Sequence, residues 1–172
     1  MSPRARREAP TTAPPAERAR ELALSILTRA PRSAADLRAR LLSKEIEPDI
    51  ADEVIKRYVE VGLLDDGGLA AMIARTRHAE RGLAPRAIAQ ELRRKGFQED
   101  HIRAALDPLT ADVQEETARE LAAKRWSREA DAQAEARVRR TVSHLARKGY
   151  PATLAFALVR DLQRADSEAD NN

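Results

Sequence analysis

Three histidines, one pair of adjacent aspartates and several clusters of arginine and lysine are the side chains of this sequence whose types could do chemistry. His78, His101 and His144 are the only histidines, and the chain has no cysteine. None of the three has a second ligand at i+3 or i+4, the spacing that puts two ligands on one helix face, so no metal centre is expected. Asp65 and Asp66 could act as a carboxylate pair in acid–base work. They stand where a helix must begin, however, and capping with dipole complementarity is the simpler explanation. Gly67-Gly68 lacks the Gly-Lys-Ser/Thr that completes a phosphate loop. Trp126, the single tryptophan, fits a partly buried packing role or an interface anchor. No nucleophile and base stand in a recognisable arrangement, so neither a catalytic residue nor a cofactor is expected.

The basic clusters are the better candidates. Arg93, Arg94 and Lys95 are consecutive, Arg75 and Arg77 precede Arg81, and Arg86 lies between these two groups. Arg137, Arg139, Arg140, Arg147 and Lys148 form the last cluster. Lysine and arginine at helix C-termini also complement the helix dipole, which is the plainer account of such residues. Their recurrence points instead to a surface for a partner. Few aromatics are interleaved with them, which argues against a base-stacking platform. A phosphate backbone and an acidic protein groove both fit such a surface.

These side chains must be positioned by a short pattern that occurs three times. It reads Leu41-x-x-Lys44-x-Ile46, Leu92-x-x-Lys95-Gly96-Phe97 and Leu145-x-x-Lys148-Gly149-Tyr150, with lysines 51 and 53 residues apart. Val54, Ala105 and Leu158 follow at a matched offset, as do Ile55, Leu106 and Val159. Such a period implies tandem copies of one unit that bury apolar edges against one another. Helical periodicity and helix punctuation divide each copy into three helices. The first copy has Leu22, Ala23, Ile26 and Leu27 between Glu17 and Ala30, then a Ser33/Asp36 capping box before Leu37 and Leu41, then a helix opened by Pro48 and stopped by Gly62. In the second copy Leu69, Met72, Ile73 and Thr76 are expected to form the buried stripe of the first helix. Ile88 and Leu92 mark the next, closed by Gly96. Ile102, Ala105 and Leu106 mark the third. The last copy has helices from about Asp112 to Trp126, around Val138, Val142 and Leu145 up to Gly149, and from Pro151 through Leu162. No segment alternates with period two for long enough to be a strand. The class is all-α, with three tandem three-helix repeats at 17–64, 65–110 and 111–164. A disordered tail at 1–16 precedes them, an acidic tail at 165–172 follows, and the polar segment 127–135 is the expected flexible joint.

Composition agrees with this organisation. Of 172 residues, 42% are hydrophobic, only 3% aromatic and 34% charged, which suits thin aliphatic helical layers. The formal net charge of +3 is unevenly spread: residues 17–66 sum to −2, residues 75–103 to +4 and residues 117–150 to +5. A chain polarised in this way presents different faces to a charged partner. The absence of cysteine fits a reducing compartment, and no apolar run reaches the length of about 18 residues that spans a bilayer. These features describe a cytoplasmic protein without a secretory leader. No heptad seam suggests a dimer, so a monomer is expected.

The run Gly62-Leu63-Leu64-Asp65-Asp66, then Leu69-Ala70, Ile73-Ala74-Arg75-Thr76-Arg77, Gly82, Ile88, Glu91-Leu92 and Lys95-Gly96-Phe97 resembles the signature of bacterial RecX, the regulatory protein of the RecA recombinase. Arg137-Val138 through Leu145-Ala146-Arg147-Lys148-Gly149-Tyr150-Pro151 to Val159-Arg160-Asp161-Leu162 resembles that family's C-terminal repeat. The sequence departs from the pattern at Leu69 and at Met72-Ile73, where aromatics are expected. The resemblance implies three tandem three-helix repeats in an elongated, curved array. It also implies a non-enzymatic regulator of recombination and DNA repair, which binds RecA or its nucleoprotein filament on single-stranded DNA. Such a regulator restrains ATP hydrolysis, strand exchange and co-protease activity. On this reading the partner surface is Arg75, Arg77, Arg86, Arg93, Arg94, Lys95, Arg137, Arg139, Arg140, Arg147 and Lys148, while Asp65, Asp66, Gly96 and Gly149 serve the structure. The competing reading is a helical module that binds DNA directly, without a protein partner.

Overall fold

A computed structural model of the chain describes residues 14–170. Among these the secondary structure is nine α-helices and no strand. They are α1 (Pro15–Arg29), α2 (Ala34–Leu42), α3 (Pro48–Glu60), α4 (Asp66–Arg81), α5 (Pro85–Arg94), α6 (Glu99–Leu106), α7 (Ala111–Arg128), α8 (Ala134–Arg147) and α9 (Ala152–Asp170). The chain divides into two compact units, Met1–Asp66 and Gly67–Asn172. The first holds α1–α3. The second holds α4, apart from its first residue, and α5–α9.

The recurring Leu-x-x-Lys pattern, followed by Gly-aromatic in two copies and by Glu-Ile in the first, is a helix terminator built the same way three times. At the ends of α2, α5 and α8 the amides of Ile46, Phe97 and Tyr150 each reach back to the carbonyls of Leu41, Leu92 and Leu145, in every case at 3.2 Å. One residue earlier, the amides of Glu45, Gly96 and Gly149 bond to Leu42, Arg93 and Ala146 at 2.9–3.0 Å. This is the Schellman arrangement, in which the residue after the cap takes the left-handed conformation and an apolar residue folds back onto the last turn. The pattern follows from it. The leucine is fully buried at all three ends, and the residue folding back is Ile46, Phe97 or Tyr150, each no more than 6% exposed. The left-handed position is Gly96 (φ 82°) and Gly149 (φ 93°) in two repeats but Glu45 (φ 61°) in the first.

A second repeat signal lies in the first helix of each triplet. Ala19 and Ala23 in α1, Ala70 and Ala74 in α4, and Ala118 and Ala122 in α7 are pairs four residues apart with at most 1% exposure. Side chains this small let neighbouring helices approach closely, so the helix axis lies nearest the core along the alanine stripe. The expected stripe of α4 is corrected accordingly. Met72 is 45% exposed and Thr76 half-buried, while Leu69 and Ile73 pack beside the alanines at the edge of the core.

In the first unit the core joins Leu37, Leu41, Val54, Tyr58 and the α1 alanines, and the Tyr58 hydroxyl donates to the Arg20 carbonyl at 3.0 Å. Ser33 caps α2 by accepting from the Asp36 amide at 3.1 Å. Asp66, the last residue of this unit, accepts from the Ala34 amide at 2.9 Å. Asp66 thus serves a helix that starts 32 residues earlier in the sequence, in addition to standing at the first position of its own. Helix α1 opens at Pro15, two residues before the expected Glu17; the rest of the predicted N-terminal tail, residues 1–13, lies outside the described residues.

In the second unit the third repeat is seated on the loop between α4 and α5 of the second. Ala84 donates its amide to the Lys148 carbonyl at 2.8 Å, and the Tyr150 hydroxyl donates to the Gly82 carbonyl at 3.1 Å in a buried site. Ala84 belongs to the core of the third repeat, with Leu145, Tyr150 and Leu158. A Cβ on Gly149 would come within 2.8 Å of the Ala87 methyl. Two expectations change here. The predicted joint 127–135 is mostly helix or tight turn, because α7 runs on to Arg128 and α8 starts at Ala134. The turn between them is tied by Glu129, which pairs with both Arg125 and Arg140. The predicted acidic tail from Ala165 is helical as far as Asp170, and Asp166 accepts from the Trp126 indole at 2.9 Å and from Arg137 at 2.6 Å.

Candidate functional site

Packing sorts the eleven basic candidates into two sets. Six are engaged within the chain. Arg77 on α4 forks onto both carboxylate oxygens of Glu91 on α5 at 2.9–3.0 Å, and Lys95 lies 3.9 Å from the same carboxylate. The Arg77 hydrogen bonds hold the Glu91 carboxyl below the usual range, against its partial burial. Arg93 pairs with Glu99, tying α5 to α6. Arg137 stacks on the Trp126 ring with its guanidinium carbon 3.9 Å from the centroid, and it also binds the Trp126 carbonyl and Asp166. Arg140 pairs with Glu129, and Lys148 donates to the Arg81 carbonyl at the end of α4. Trp126 is 5% exposed, so it is a packing residue and not an exposed anchor.

The other five are Arg75, Arg86, Arg94, Arg139 and Arg147. They lie at the surface, and none forms an ion pair among the described residues. Arg94 and Arg147 converge. Together with Arg81, Lys148, His144 and Gln90 they line a cleft of about 530 Å³ where the ends of α4 and α5 meet the end of α8. A neighbouring cleft of about 420 Å³ shares Ala87, Gln90 and Arg147 with it and adds Arg86. Arg75 lines neither, and Arg139 edges a separate apolar groove beside Val138, Val142 and Phe156.

The helix terminator is what positions this cleft. It ends α5 at Arg94 and α8 at Arg147, and the bonds from Ala84 and Tyr150 tie the loop between α4 and α5 to the end of α8. Four permanent cations then face one carboxylate, Glu91, which Arg77 already satisfies. His144 reports the field. Burial, followed by the positive charges of Lys148, Arg125, Arg147 and Arg128, holds its imidazole below the usual histidine range. What such walls do chemically is bind an oxyanion through charge-assisted hydrogen bonds. Arg81, His144 and Gln90 are not among the residues the sequence singles out as a partner surface. They come from different repeats, and no spacing along the chain signals that they meet.

The remaining histidines have other places. His78 Nδ1 bonds the Leu83 carbonyl at 3.0 Å, and its Nε2 lies 3.1 Å from the Thr117 hydroxyl, joining α4 to α7. His101 is half-buried in α6. No group of three or more potential metal ligands converges among the described residues.

Three family models match in order along the chain. RecX, first three-helix domain, covers residues 19–57; the second covers 65–106 and the third 112–159. The chain belongs to the RecX family. Among its relatives, regulatory protein RecX of Thermobifida fusca (strain YX) is 45% identical over 87% of this chain and 80% of its own length. The Streptomyces coelicolor RecX is 40% identical over 90% of this chain and 82% of its own. The fold has solved counterparts. A RecX crystal structure from Lactobacillus salivarius superposes with TM-score 0.76, at 22% identity, over 87% of this chain and 97% of that one. A second, of a regulatory protein RecX, gives TM-score 0.72 at 26% identity over 86% and 72%. The RecX relatives are named as regulatory proteins, and membership over all three repeats supports a regulatory role here. No helix among the described residues is long and apolar enough to cross a membrane.

Proposed function

We propose that this protein regulates the RecA recombinase in the cytoplasm, binding RecA or its filament on single-stranded DNA and inhibiting ATP hydrolysis, strand exchange and co-protease activity. The observation that carries the reading is the match of all three RecX repeats in order, two of which build the basic cleft. The role requires binding and no catalysis, and the cleft offers charge rather than reacting groups. It is performed by a monomer, with Arg94 and Arg147 at the contact. Arg77, Arg93, Arg137 and Arg140 act indirectly, by holding the helices that present those two.

The test is the single-stranded-DNA-dependent ATPase rate of the cognate RecA as this protein is titrated in. The rate should fall at substoichiometric ratios, because a regulator of a filament acts on more than one subunit. The doubly substituted Arg94→Glu/Arg147→Glu protein, with helicity unchanged, should require about tenfold more protein for the same effect. An unchanged RecA rate with the intact protein overturns the reading. The exposed cations of the cleft favour a second reading, a module that binds DNA and leaves RecA alone. DNA binding together with an unaffected ATPase would select it.

A further inference from the structure

The two clefts share Ala87, Gln90 and Arg147 and so make one continuous cationic surface at the junction of the second and third repeats. Arg81, Arg94 and Lys148 line the first cleft, Arg86 lines the second, and Arg147 lines both, with Gln90 as a neutral hydrogen-bonding group common to the two. Three features define what fits. Arg81, Arg94 and Arg147 form no ion pair among the described residues, so their guanidinium forks are available. The single carboxylate in the walls, Glu91, is already held by Arg77. The apolar lining offers no deep pocket for a large side chain: Leu83 is half-buried, Ala87, Ala146, Pro151 and Ala152 are small, and Tyr150 is buried with its hydroxyl on Gly82. A protein segment gains most of its affinity from apolar or aromatic anchors in pockets, which these walls do not supply. A polyanion with a charge on every unit needs only the cations, and a surface of this kind suits a nucleic-acid backbone. No exposed aromatic face in the cleft offers base stacking, so recognition is blind to sequence.

We propose that this cleft binds the phosphodiester backbone of a single nucleic-acid strand, and that binding is coupled to protonation of His144. The proposal rests on the RecA reading above and names the component of the filament that the cleft touches. His144 lies in the cleft wall, half-buried among like charges: Arg147 and Lys148 from the end of its own helix, Arg125 and Arg128 from α7, and Arg81 and Arg94 from the ends of α4 and α5. Glu91 is the one acid on that wall, and Arg77 occupies it. Burial, followed by the charges of Lys148, Arg125, Arg147 and Arg128, opposes a proton on the imidazole. A phosphate oxyanion seated among them cancels part of that field and favours the imidazolium, which then becomes one more donor to the strand. Linkage requires the reverse as well, so the strand binds more tightly as pH falls through the histidine range.

The experiment uses the full chain without RecA and an unstructured oligothymidylate as probe. Binding is followed by fluorescence anisotropy from pH 6 to pH 8, and the imidazole resonances of the three histidines are titrated with and without the oligonucleotide. Affinity should rise at least about threefold towards pH 6, and saturating oligonucleotide should move the His144 titration upward. His144→Gln should flatten the pH dependence and keep the binding. Arg94→Gln/Arg147→Gln should weaken binding about tenfold and reduce the log–log salt slope by about 0.7 for each phosphate that is no longer neutralised. Pyrophosphate separates a free phosphate ligand from a strand: if it displaces the oligonucleotide at equal concentration of phosphate groups, the strand proposal is overturned. Stronger binding of a polyglutamate peptide, affinity independent of pH, or an unmoved His144 resonance would also overturn it. These outcomes are separable from the RecA test. Inhibition of RecA with an inert cleft removes only this inference, whereas DNA binding with an unaffected RecA removes only the regulatory reading.

Discussion

Two clefts, one in each unit, are similar in size and opposite in character. In the first unit a cleft of about 580 Å³ beside α1 and α3 is lined by Arg20, Lys56 and Arg57 together with Glu53 and Glu60, so its charges nearly balance. In the second, about 530 Å³ is lined by four permanent cations and one acid that is already satisfied. The same helix terminator occurs in both units, with the same hydrogen bonds. In the second unit, however, one copy of it is seated against the preceding repeat. A repeated motif therefore fixes the fold of each copy, and the charge that suits a partner gathers where one copy meets the next.

The sharpest way to break this comparison is to alter the same motif position in both units. Gly149→Ala puts a methyl group on a left-handed residue and against Ala87, whose methyl would lie 2.8 Å away. Left-handed strain of about 1–2 kcal/mol and the forced shift at the junction together should cost about 2–4 kcal/mol. Glu45→Ala replaces one non-glycine residue by another at the equivalent exposed position and should cost less than about 0.5 kcal/mol. Urea unfolding of the two variants beside the unaltered chain makes the measurement. Equal effects would mean that the junction is not seated as described.

A smaller effect tests the same junction through pH. Burial pushes the Tyr150 phenol up to about 12, from an ordinary value of 10. An unfolded chain ionises this group near 10 and the folded chain near 12, so the unfolded state sheds its proton first. Stability is therefore full below about pH 10 and falls as pH rises from about 10 to about 12. Tyr58 in the first unit is also pushed up by burial, against the opposing pull of Arg20, so the unaltered chain carries both contributions. Tyr150→Phe should cost about 1 kcal/mol at neutral pH by removing the bond to Gly82. It should also lose less stability than the unaltered chain between about pH 10 and about pH 12. Denaturation midpoints at pH 9 and pH 11 for both proteins check the sign. The same alkaline loss in Tyr150→Phe would place that dependence elsewhere.

The helices and their triplets are legible in the sequence because they depend on local punctuation. Pro48, Pro85, Gly62, Gly82, Gly96 and Gly149 act on the backbone within a few residues of themselves. The stripe of α4 is misleading because its large apolar residues draw attention to one face, whereas the core takes the small ones, Ala70 and Ala74. The spacing that reveals them, an alanine pair four residues apart in each repeat, is present in the sequence and is obscured by its many other alanines. Asp166 resembles part of a solvated tail because nothing nearby in sequence hints that Trp126 and Arg137 reach it. The cleft is half legible. Arg94 and Arg147 stand out as clustered charge, but so do Arg93 and Arg140, and only packing shows that these two are tied to Glu99 and Glu129. Charge clustering identifies candidates, and the position of the neutralising acids decides among them.

A change smaller than those at Gly149 and Tyr150 concerns the one copy of the terminator that lacks glycine. Glu45 sits at φ 61°, where a side chain costs about 1–2 kcal/mol relative to glycine. Its side chain is exposed and forms no ion pair among the described residues, so removing it breaks no described interaction. Glu45→Gly relieves the strain. It also adds conformational freedom to the unfolded chain, which offsets about 0.5–1 kcal/mol of the gain. The net should be a stabilisation of about 0.5–1 kcal/mol, with the RecA ATPase titration unchanged because the cleft lies in the other unit. A loss of stability would show that the acidic side chain supports the first repeat. An altered titration would show that this end of α2 contributes to the partner surface, and the division between a motif that folds each copy and a junction that binds would then no longer hold.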